Sequence, residues 1–312
     1  MRKNLNKATV IGRIFEHTLE KKTSKKGIDY IAGKVSVAVD EEGLNVVDVN
    51  FTYVAEFYPA KEGQAPKKNK NYPVLQNIID NGKTWSKDGK DAAMMVKFDS
   101  ASIGVNNFVG RDGNMVAAPR VEGSFVTVLT KLPDVSERNE FSTDIIINRV
   151  TSMEDAEGND LGYDEVAGRI FVYPGMAVPV TFAVRIKEGR DYFEGLDASN
   201  NNLIYTNVRG KIESITKTTQ VVEESAFGGN SVKTKTTTSK AFVIEKANPV
   251  PFDLGSEDTM TMDEVAQAVQ AYEVHLAEVQ KNHDDYVAGQ AGGNAAPKSA
   301  AAPAQKAQFA GF

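Results

Sequence analysis

The sequence predicts a mainly β protein: an OB-like barrel at the N-terminus, a second β-domain, one C-terminal helix and a disordered tail. Three extended runs close together predict the first barrel. They are residues 7–15, 29–40 and 45–57. In the second run Ile31, Val35 and Val37 alternate with polar residues, which indicates a strand with one buried face. A strongly twisted meander of such strands is how a small β-barrel begins.

The third run alternates in the same way. Phe51, Tyr53 and Phe57 fall on its apolar face, where we expect core side chains. Asn50 and Thr52 fall on the opposite face. The two runs therefore predict neighbouring antiparallel strands whose outer faces carry polar groups.

A short helix follows the three strands. Residues 74–79 form an apolar stretch that Pro73 can open and Gly82 can end. Further strand-like runs occur at 93–98, 102–109, 124–129 and 144–150. Three strands, a helix and more strands is the order of an OB-fold, a five-stranded barrel whose second and third strands and nearby loops bind oligonucleotides. We therefore predict an OB-like nucleic-acid-binding domain over residues 1–155.

A second β-domain is predicted over residues 160–252. Its first run, 166–171, matches residues 10–15 at five of six positions, which is weak support for a second related barrel. Further strand-like runs occur at 177–186, 203–215 and 231–245. The last two meet across a turn at 226–230 and form a hairpin rich in Thr and Lys, which could wrap nucleic acid or simply project into solvent.

The hydrophobic period changes after the second domain. Residues 261–288 read as an amphipathic acidic helix, with a capping box from Thr261 to Glu264 and a stop at Gly289. Two interpretations are open for its apolar stripe: docking onto its own barrel, or pairing with another copy or a partner protein. Residues 289–312 are rich in Ala, Gly, Pro and Gln, a composition that predicts a disordered tail.

Charge is distributed unevenly along the 312 residues, whose net charge is −6. Residues 1–72 contain thirteen Lys/Arg and nine Asp/Glu, a net of +4, whereas residues 253–287 contain nine Asp/Glu and one Lys, a net of −8. Because a local field decides what a surface attracts, the N-terminal region can still bind a polyanion.

Composition argues against most enzyme classes. The chain has no cysteine and three histidines, and it contains no P-loop, HExxH or GxSxG motif. We therefore expect no enzymatic activity, no cofactor and no metal. No run of eighteen apolar residues and no leader-like segment is present, so we expect a cytoplasmic protein without a membrane span.

The N-terminal residues also carry a family resemblance. Residues 6–14 (NKATVIGRI), a loop bearing Gly27 and then residues 33–39 (GKVSVAV) resemble the start of single-stranded DNA-binding proteins of bacteria and their phages. The resemblance covers mainly residues 6–58. It implies a role in DNA replication or recombination, a phage source and the bacterial host cytoplasm as the location. It also implies partner proteins for the tail. Independently of the resemblance, the apolar stripe of the 262–286 helix makes this helix, together with the tail, the segment through which we expect self-association or binding of replication and recombination proteins.

A basic groove along the phosphates and flat side chains against the bases hold single-stranded nucleic acid. The predicted contact set combines outer-face residues, lysines of two flanking loops and one tryptophan. It consists of Lys21, Lys22, Lys25, Lys26, Tyr30, Lys34, Asn50, Thr52, Lys67, Lys68, Lys70 and Trp85. Trp85 stands among Lys and Gly residues, and the alternative of a buried anchor for the barrel is open.

The function predicted from these observations is sequence-tolerant binding of single-stranded DNA. The alternative is a virion structural or assembly protein built from two β-domains, which the polar hairpin, the net acidity and the helix stripe would also fit.

Overall fold

The computed structural model describes residues 4–58, 65–224, 230–256 and 259–291, with the backbone alone described for 217–224, 230–236 and 290–291. The protein is mainly β with one long C-terminal helix, as the sequence predicts, and all strands in these ranges belong to one large mixed sheet. The strands are β1 (Asn6–His17), β2 (Glu20–Thr23), β3 (Asp29–Ala38), β4 (Val46–Ala55), β5 (Met95–Val109), β6 (Met115–Glu122), β7 (Thr127–Leu129), β8 (Asn139–Glu154), β9 (Asp160–Val172), β10 (Met176–Val184), β11 (Ile204–Glu224) and β12 (Asn230–Ala247). The α-helices are α1 (Tyr72–Asn81), α2 (Trp85–Asp88), α3 (Lys187–Glu194) and α4 (Met262–Ala291).

Five strands close the first barrel. β1 pairs antiparallel with both β3 and β5, β3 pairs antiparallel with β4, β4 pairs parallel with β6, and β6 returns antiparallel to β5. The helix α1 connects β4 to β5, so the order of elements is that of an OB-fold. Buried Val10, Ile31, Phe51 and Phe98 lie in its core.

The strands β8 to β12 close a second barrel with the same pairing order. β9 lies between β8 and β10, β10 pairs parallel with β12, and β11 joins β12 back to β8. Phe141, Phe182 and Phe242 pack in its core with ring centroids 5.3 to 6.0 Å apart. The repeated hexamer does not mark equivalent strands, because residues 10–15 lie in the first strand of one barrel and residues 166–171 in the second strand of the other.

The two barrels share one sheet. β1 pairs antiparallel with β8 from Asn6 opposite Thr143 to Val10 opposite Asn139. β8 precedes the boundary predicted at residues 155–160, yet its pairs with β9 and β11 close the second barrel. β9 follows β8 directly, but β11 is distant in sequence and its pairing leaves no local signal, which is why β8 reads as the last strand of the first domain.

Several elements differ from the sequence-based expectation. The runs 93–98 and 102–109 form one strand, because β5 continues through a bulge around Asp99 and Ser100. Only the second half of the run 124–129 is a strand, β7, and β6 lies before the run. Lys21 and Lys22 belong to β2 rather than to a loop, since they pair with β3.

The start of α4 follows its sequence signal. The Thr261 N–H donates to Glu264 Oε2 at 2.8 Å and the Glu264 N–H donates to Thr261 Oγ1 at 3.2 Å, which is a capping box. The helix runs past Gly289 to Ala291, because one glycine costs a helix only about 1 kcal/mol relative to alanine.

The first half of α4 docks onto the barrels. Val265, Ala268 and Tyr272 are buried, and the helix contacts β10 of the second barrel and β5 of the first. Docking is therefore the interpretation that the described residues support for this half. Three parts of the sequence-based prediction lie outside what the structure describes. They are the predicted disordered tail beyond residue 291, the hairpin turn at 225–229, and the side chains of Lys217, Lys233 and Lys235 in the hairpin. In the described ranges, no helix combines the length and apolarity needed to cross a bilayer.

An ion-pair cluster links the β3–β4 loop to the turn after α2 and to the segment before β8. The Glu41 carboxylate contacts Lys90 Nζ and Arg138 Nη1, each at 2.8 Å. Hydrogen bonds from Lys90 and then Arg138 lower the pKa of Glu41 from 4.5 to about 2. Because the folded-state pKa is depressed, this stabilisation is complete above pH 4.5 and is lost as the pH falls towards 2.

We expect Glu41→Gln to lower the unfolding temperature at pH 7, because it removes the carboxylate partner of the buried Arg138 guanidinium as well as that of Lys90. The difference from the wild type should shrink as the pH falls below 4.5. Thermal unfolding across this pH range measures it, with the neighbouring exposed Glu42→Gln as the control. A difference that stays constant with pH would contradict the role assigned to Glu41.

Candidate nucleic-acid interface

A bulge in β4 shapes the outer face of β3 and β4. The register shifts between Ile31 and Gly33, where β4 carries one residue more than β3. The extra residue turns the following side chains to the other face. Tyr53 is therefore 50% exposed rather than in the core, whereas Phe51, before the bulge, is buried. Phe57 is also exposed, just past the end of β4. Placing Tyr53 and Phe57 in the core is thus wrong, because strict alternation stops at Phe51.

The bulge brings two tyrosines together on the outer face. The rings of Tyr30 and Tyr53 lie 4.4 Å apart between centroids, with 31° between their planes. Lys22 of β2 pairs opposite Tyr30, so its side chain starts beside this ring. A close pair of aromatic rings with an accessible surface is a platform for an unpaired base, and a nearby ammonium suits the phosphate attached to that base.

Both lysine-rich segments lie at the tyrosine end of the face. Lys25 and Lys26 occupy the exposed turn between β2 and β3, immediately before Tyr30 in β3. Residues 67–70 run antiparallel beside the end of β4, where Ala55 pairs with Tyr30. The chain therefore places basic groups on both sides of the tyrosine pair.

Three of these lysines have exposed ion-pair partners. They are Lys21 with Asp80 at 3.9 Å, Lys22 with Glu20 at 3.5 Å and Lys68 with Glu56 at 3.8 Å. Within the described residues, no ion pair is formed by Lys25, Lys26, Lys67 or Lys70. Because exposed pairs are worth little, the three paired lysines can exchange their partners for phosphate.

Lys34 lies farther along the same face and is held by Asp48. Its Nζ is 3.1 Å from Asp48 Oδ1, while Lys240 of β12 approaches Oδ2 at 3.0 Å. Ser36 Oγ donates to Oδ1 at 2.6 Å. The face of the first barrel therefore continues onto the base of the β11–β12 hairpin of the second.

The polar residues predicted between these groups have structural partners. Asn50 Nδ2 donates to the Val121 carbonyl at 3.1 Å and so links β4 to β6. Thr52 Oγ1 accepts from Arg120 Nη2 at 3.3 Å, and Arg120 also contacts Glu122 at 2.9 Å. Both residues lie on the predicted face, but their side chains already fix the strands that form it.

Trp85 lies apart from the tyrosine pair. It is half-buried in α2, with its ring centroid 6.2 Å from that of Phe15, and it packs beside Gly43 in the β3–β4 loop. Lys90 Nζ stands 5.5 Å from the ring centroid. Gly43 is at the opposite end of β3 and β4 from Tyr30, so the structure does not bring Trp85 together with the lysine segments.

Three side chains of this face were missing from the nucleic-acid contact residues predicted from the sequence. Tyr53 gave no signal because a bulge is not visible in a pattern of alternation. Asp48 lies two residues before Asn50 and shares its polar side of the alternation, but nothing in the sequence pairs it with Lys240, 192 residues away. Arg120 follows Pro119, and a proline argues against an interior strand, so β6 was not expected there.

The chain also matches a known sequence family. The family described as YorF matches residues 4–282, which span both barrels and most of α4. The chain belongs to the YorF family. No curated protein sequence matches it significantly.

Two solved structures of the single-stranded DNA-binding protein from Thermus aquaticus are similar to this YorF-family chain. A deletion variant has a TM-score of 0.42 and 11% identity, and covers 82% of this chain and 100% of its own. The wild-type protein has a TM-score of 0.41 and 8% identity, and covers 81% of this chain and 96% of its own.

The face of this YorF-family chain combines two kinds of binding group. The tyrosine pair offers apolar ring surface, and the lysines around it offer charge that is not committed to buried partners. The side chains that would tell one base edge from another, Asn50 and Thr52, already bond to β6. Stacking combined with phosphate binding is the chemistry that this surface can perform.

Proposed function

We propose that the chain is a non-enzymatic protein that binds single-stranded DNA without strong sequence preference. The observation that carries the proposal is the close ring pair of half-buried Tyr30 and exposed Tyr53, flanked by lysines on both sides. A duplex hides its base faces, whereas an unpaired strand can stack a base on such a pair and lay its phosphates along the lysines.

Sequence tolerance follows from the type of interaction. Every base has a flat face that can stack on an aromatic ring, and a lysine ammonium recognises phosphate irrespective of the base. The resemblance of residues 6–58 to DNA-binding proteins of bacteria and phages supports a setting in replication or recombination, with a phage or bacterial genome as the source of the strand.

Charge reversal of the exposed turn tests the proposal. We expect Lys25→Glu/Lys26→Glu to weaken binding to a dye-labelled oligo-dT by at least about tenfold at low salt, since two attractions to phosphate become repulsions. The slope of log affinity against log salt should become shallower by roughly 1.4, because each phosphate that a lysine neutralises on a single strand contributes about 0.7. Fluorescence anisotropy at several salt concentrations measures both quantities.

The matched control is Lys131→Glu/Lys281→Glu, which changes the net charge equally at two exposed lysines outside this face. It should retain most of the affinity. Equal losses in both double variants would indicate attraction by net charge alone. Absence of binding by the wild type at low salt would refute the proposal.

A further inference from the structure

Asp48 is an acidic residue in the middle of a face that otherwise suits an anion. Its carboxylate lies between two ammonium groups, Lys34 Nζ at 3.1 Å and Lys240 Nζ at 3.0 Å, and it accepts a hydrogen bond from Ser36 at 2.6 Å. The two lysines come from different barrels, β3 of the first and β12 of the second. The carboxylate therefore occupies the point where their positive charges converge.

Asp48 is ionised at neutral pH. Burial raises its pKa, but the charges of Lys240 and Lys34 and the hydrogen bonds from Ser36 and Lys240 outweigh that effect and leave the pKa below its ordinary value. The three side chains thus carry two positive charges and one negative charge. The lysine side chains remain partly exposed, so an incoming anion can reach both ammonium groups from solvent.

We propose that Asp48 is an internal competitor for the DNA phosphate, and that it sets the affinity of this face by holding Lys34 and Lys240 in the free protein. The inference rests on the proposed DNA-binding function. A phosphodiester carries one negative charge and two accessible oxygens, like a carboxylate, and each ammonium has three N–H donors. A phosphate placed over Asp48 can therefore accept hydrogen bonds from both lysines.

This competition should lower the affinity of the protein for single-stranded DNA. In the free protein each lysine already has an anionic partner, so bringing a phosphate there exchanges one anion for another instead of adding a new ion pair. A phosphate near an ionised Asp48 is also repelled by it. The chain should therefore bind single-stranded DNA less tightly, and with a shallower salt dependence, than the same face would without the carboxylate.

Asp48→Asn tests this inference, because asparagine keeps the size of the side chain and an oxygen for Ser36 while removing the charge. We expect oligo-dT to bind about 3- to 10-fold more tightly at low salt. The slope of log affinity against log salt should steepen by about 0.7, the value for one additional neutralised phosphate.

The control is Asp160→Asn on the second barrel. It also removes one ion-paired carboxylate, while its partner Arg190 keeps Asp164 at 2.8 Å. Affinity and slope should be close to those of the wild type in this control.

A double-mutant cycle separates competition from a purely structural role. Lys240→Met should reduce affinity more in the Asp48→Asn background than in the wild type, because only there is Lys240 free before DNA binds. Equal losses in the two backgrounds would overturn the inference. So would an Asp48→Asn variant that binds no more tightly than the wild type, since the carboxylate would then only pin the hairpin.

A measurement on the unmodified protein covers the case in which a variant folds poorly. The carbon NMR signal of the Asp48 carboxylate should shift when oligo-dT is added, because its lysine partners leave it. An unchanged signal with bound DNA would overturn the inference while leaving the proposed function intact. If the wild type does not bind oligo-dT at all, the proposed function itself fails, so the two failures are distinguishable.

Discussion

Replacing Tyr30 and Tyr53 together by alanine is expected to weaken oligo-dT binding by roughly ten- to a hundredfold. The rings lie 4.4 Å apart, and Tyr53 is 50% exposed at the surface. Stacking one base on aromatic side chains contributes about 1–3 kcal/mol, which corresponds to that range of affinity. The salt slope should stay unchanged, since stacking releases no counterions. Anisotropy titrations at several salt concentrations measure both effects.

Two further variants sharpen this result. Tyr30→Phe/Tyr53→Phe keeps both rings and should retain nearly all of the affinity, because a stacked base needs the ring and not the hydroxyl. Tyr286→Ala removes an exposed tyrosine of α4 and should have no effect on binding. If the phenylalanine variant loses as much affinity as the alanine variant, the hydroxyl groups rather than the ring faces contact DNA.

Local signals predicted much of the first barrel. The alternation of Val35 and Val37 in β3 and the proline and glycine that flank α1 are properties of short segments, and these elements lie where expected. The capping box from Thr261 to Glu264 is local in the same sense, and its two hydrogen bonds form. Hydrophobic period and turn chemistry are sufficient for elements of this kind.

Long-range pairing was beyond the reach of such signals. The parallel pairs of β4 with β6 and of β10 with β12 close the two barrels, but their partners are separated by a helix and other strands. β8 illustrates the consequence. Its sequence reads as a strand, yet only its pairs with β1, β9 and β11 show that it joins both barrels.

The binding face was predictable in composition but not in detail. Clusters of lysine in loops are exposed almost by necessity, since burying their charges is costly, and the structure places them on the surface. The bulge that exposes Tyr53 depends on one inserted residue, and the pairing of Asp48 with Lys240 depends on how two barrels meet. Neither can be read from alternation or charge.

Tyr272→Ala is expected to cause the largest loss of stability among these variants, about 3–5 kcal/mol, as for other large buried aromatic side chains. Tyr272 is 4% exposed on α4, and its hydroxyl donates to Asn107 Oδ1 of β5 at 2.8 Å. Burial raises the pKa of Tyr272, while nearby Arg169 of β9 and the hydrogen bond with Asn107 oppose that effect. The side chain thus lies between the two barrels.

Graded variants at this position distinguish packing from hydrogen bonding. Tyr272→Phe keeps the ring and should cost only about 1 kcal/mol, the net value of one hydrogen bond. Tyr286→Ala, at a position 66% exposed farther along α4, should change stability by less than about 0.5 kcal/mol. Urea unfolding followed by circular dichroism gives all three values.

The same variants decide what the acidic helix does. If Tyr272→Ala destabilises as expected, α4 holds the barrels together, and truncating residues 253–312 should weaken oligo-dT binding by disturbing the fold. If Tyr272→Ala unfolds within about 1 kcal/mol of the wild type, well below the loss expected for a buried aromatic ring, α4 is not firmly docked in solution. The net charge of −8 over residues 253–287 would then be free to compete with DNA for the N-terminal lysines, and the truncation should tighten binding instead.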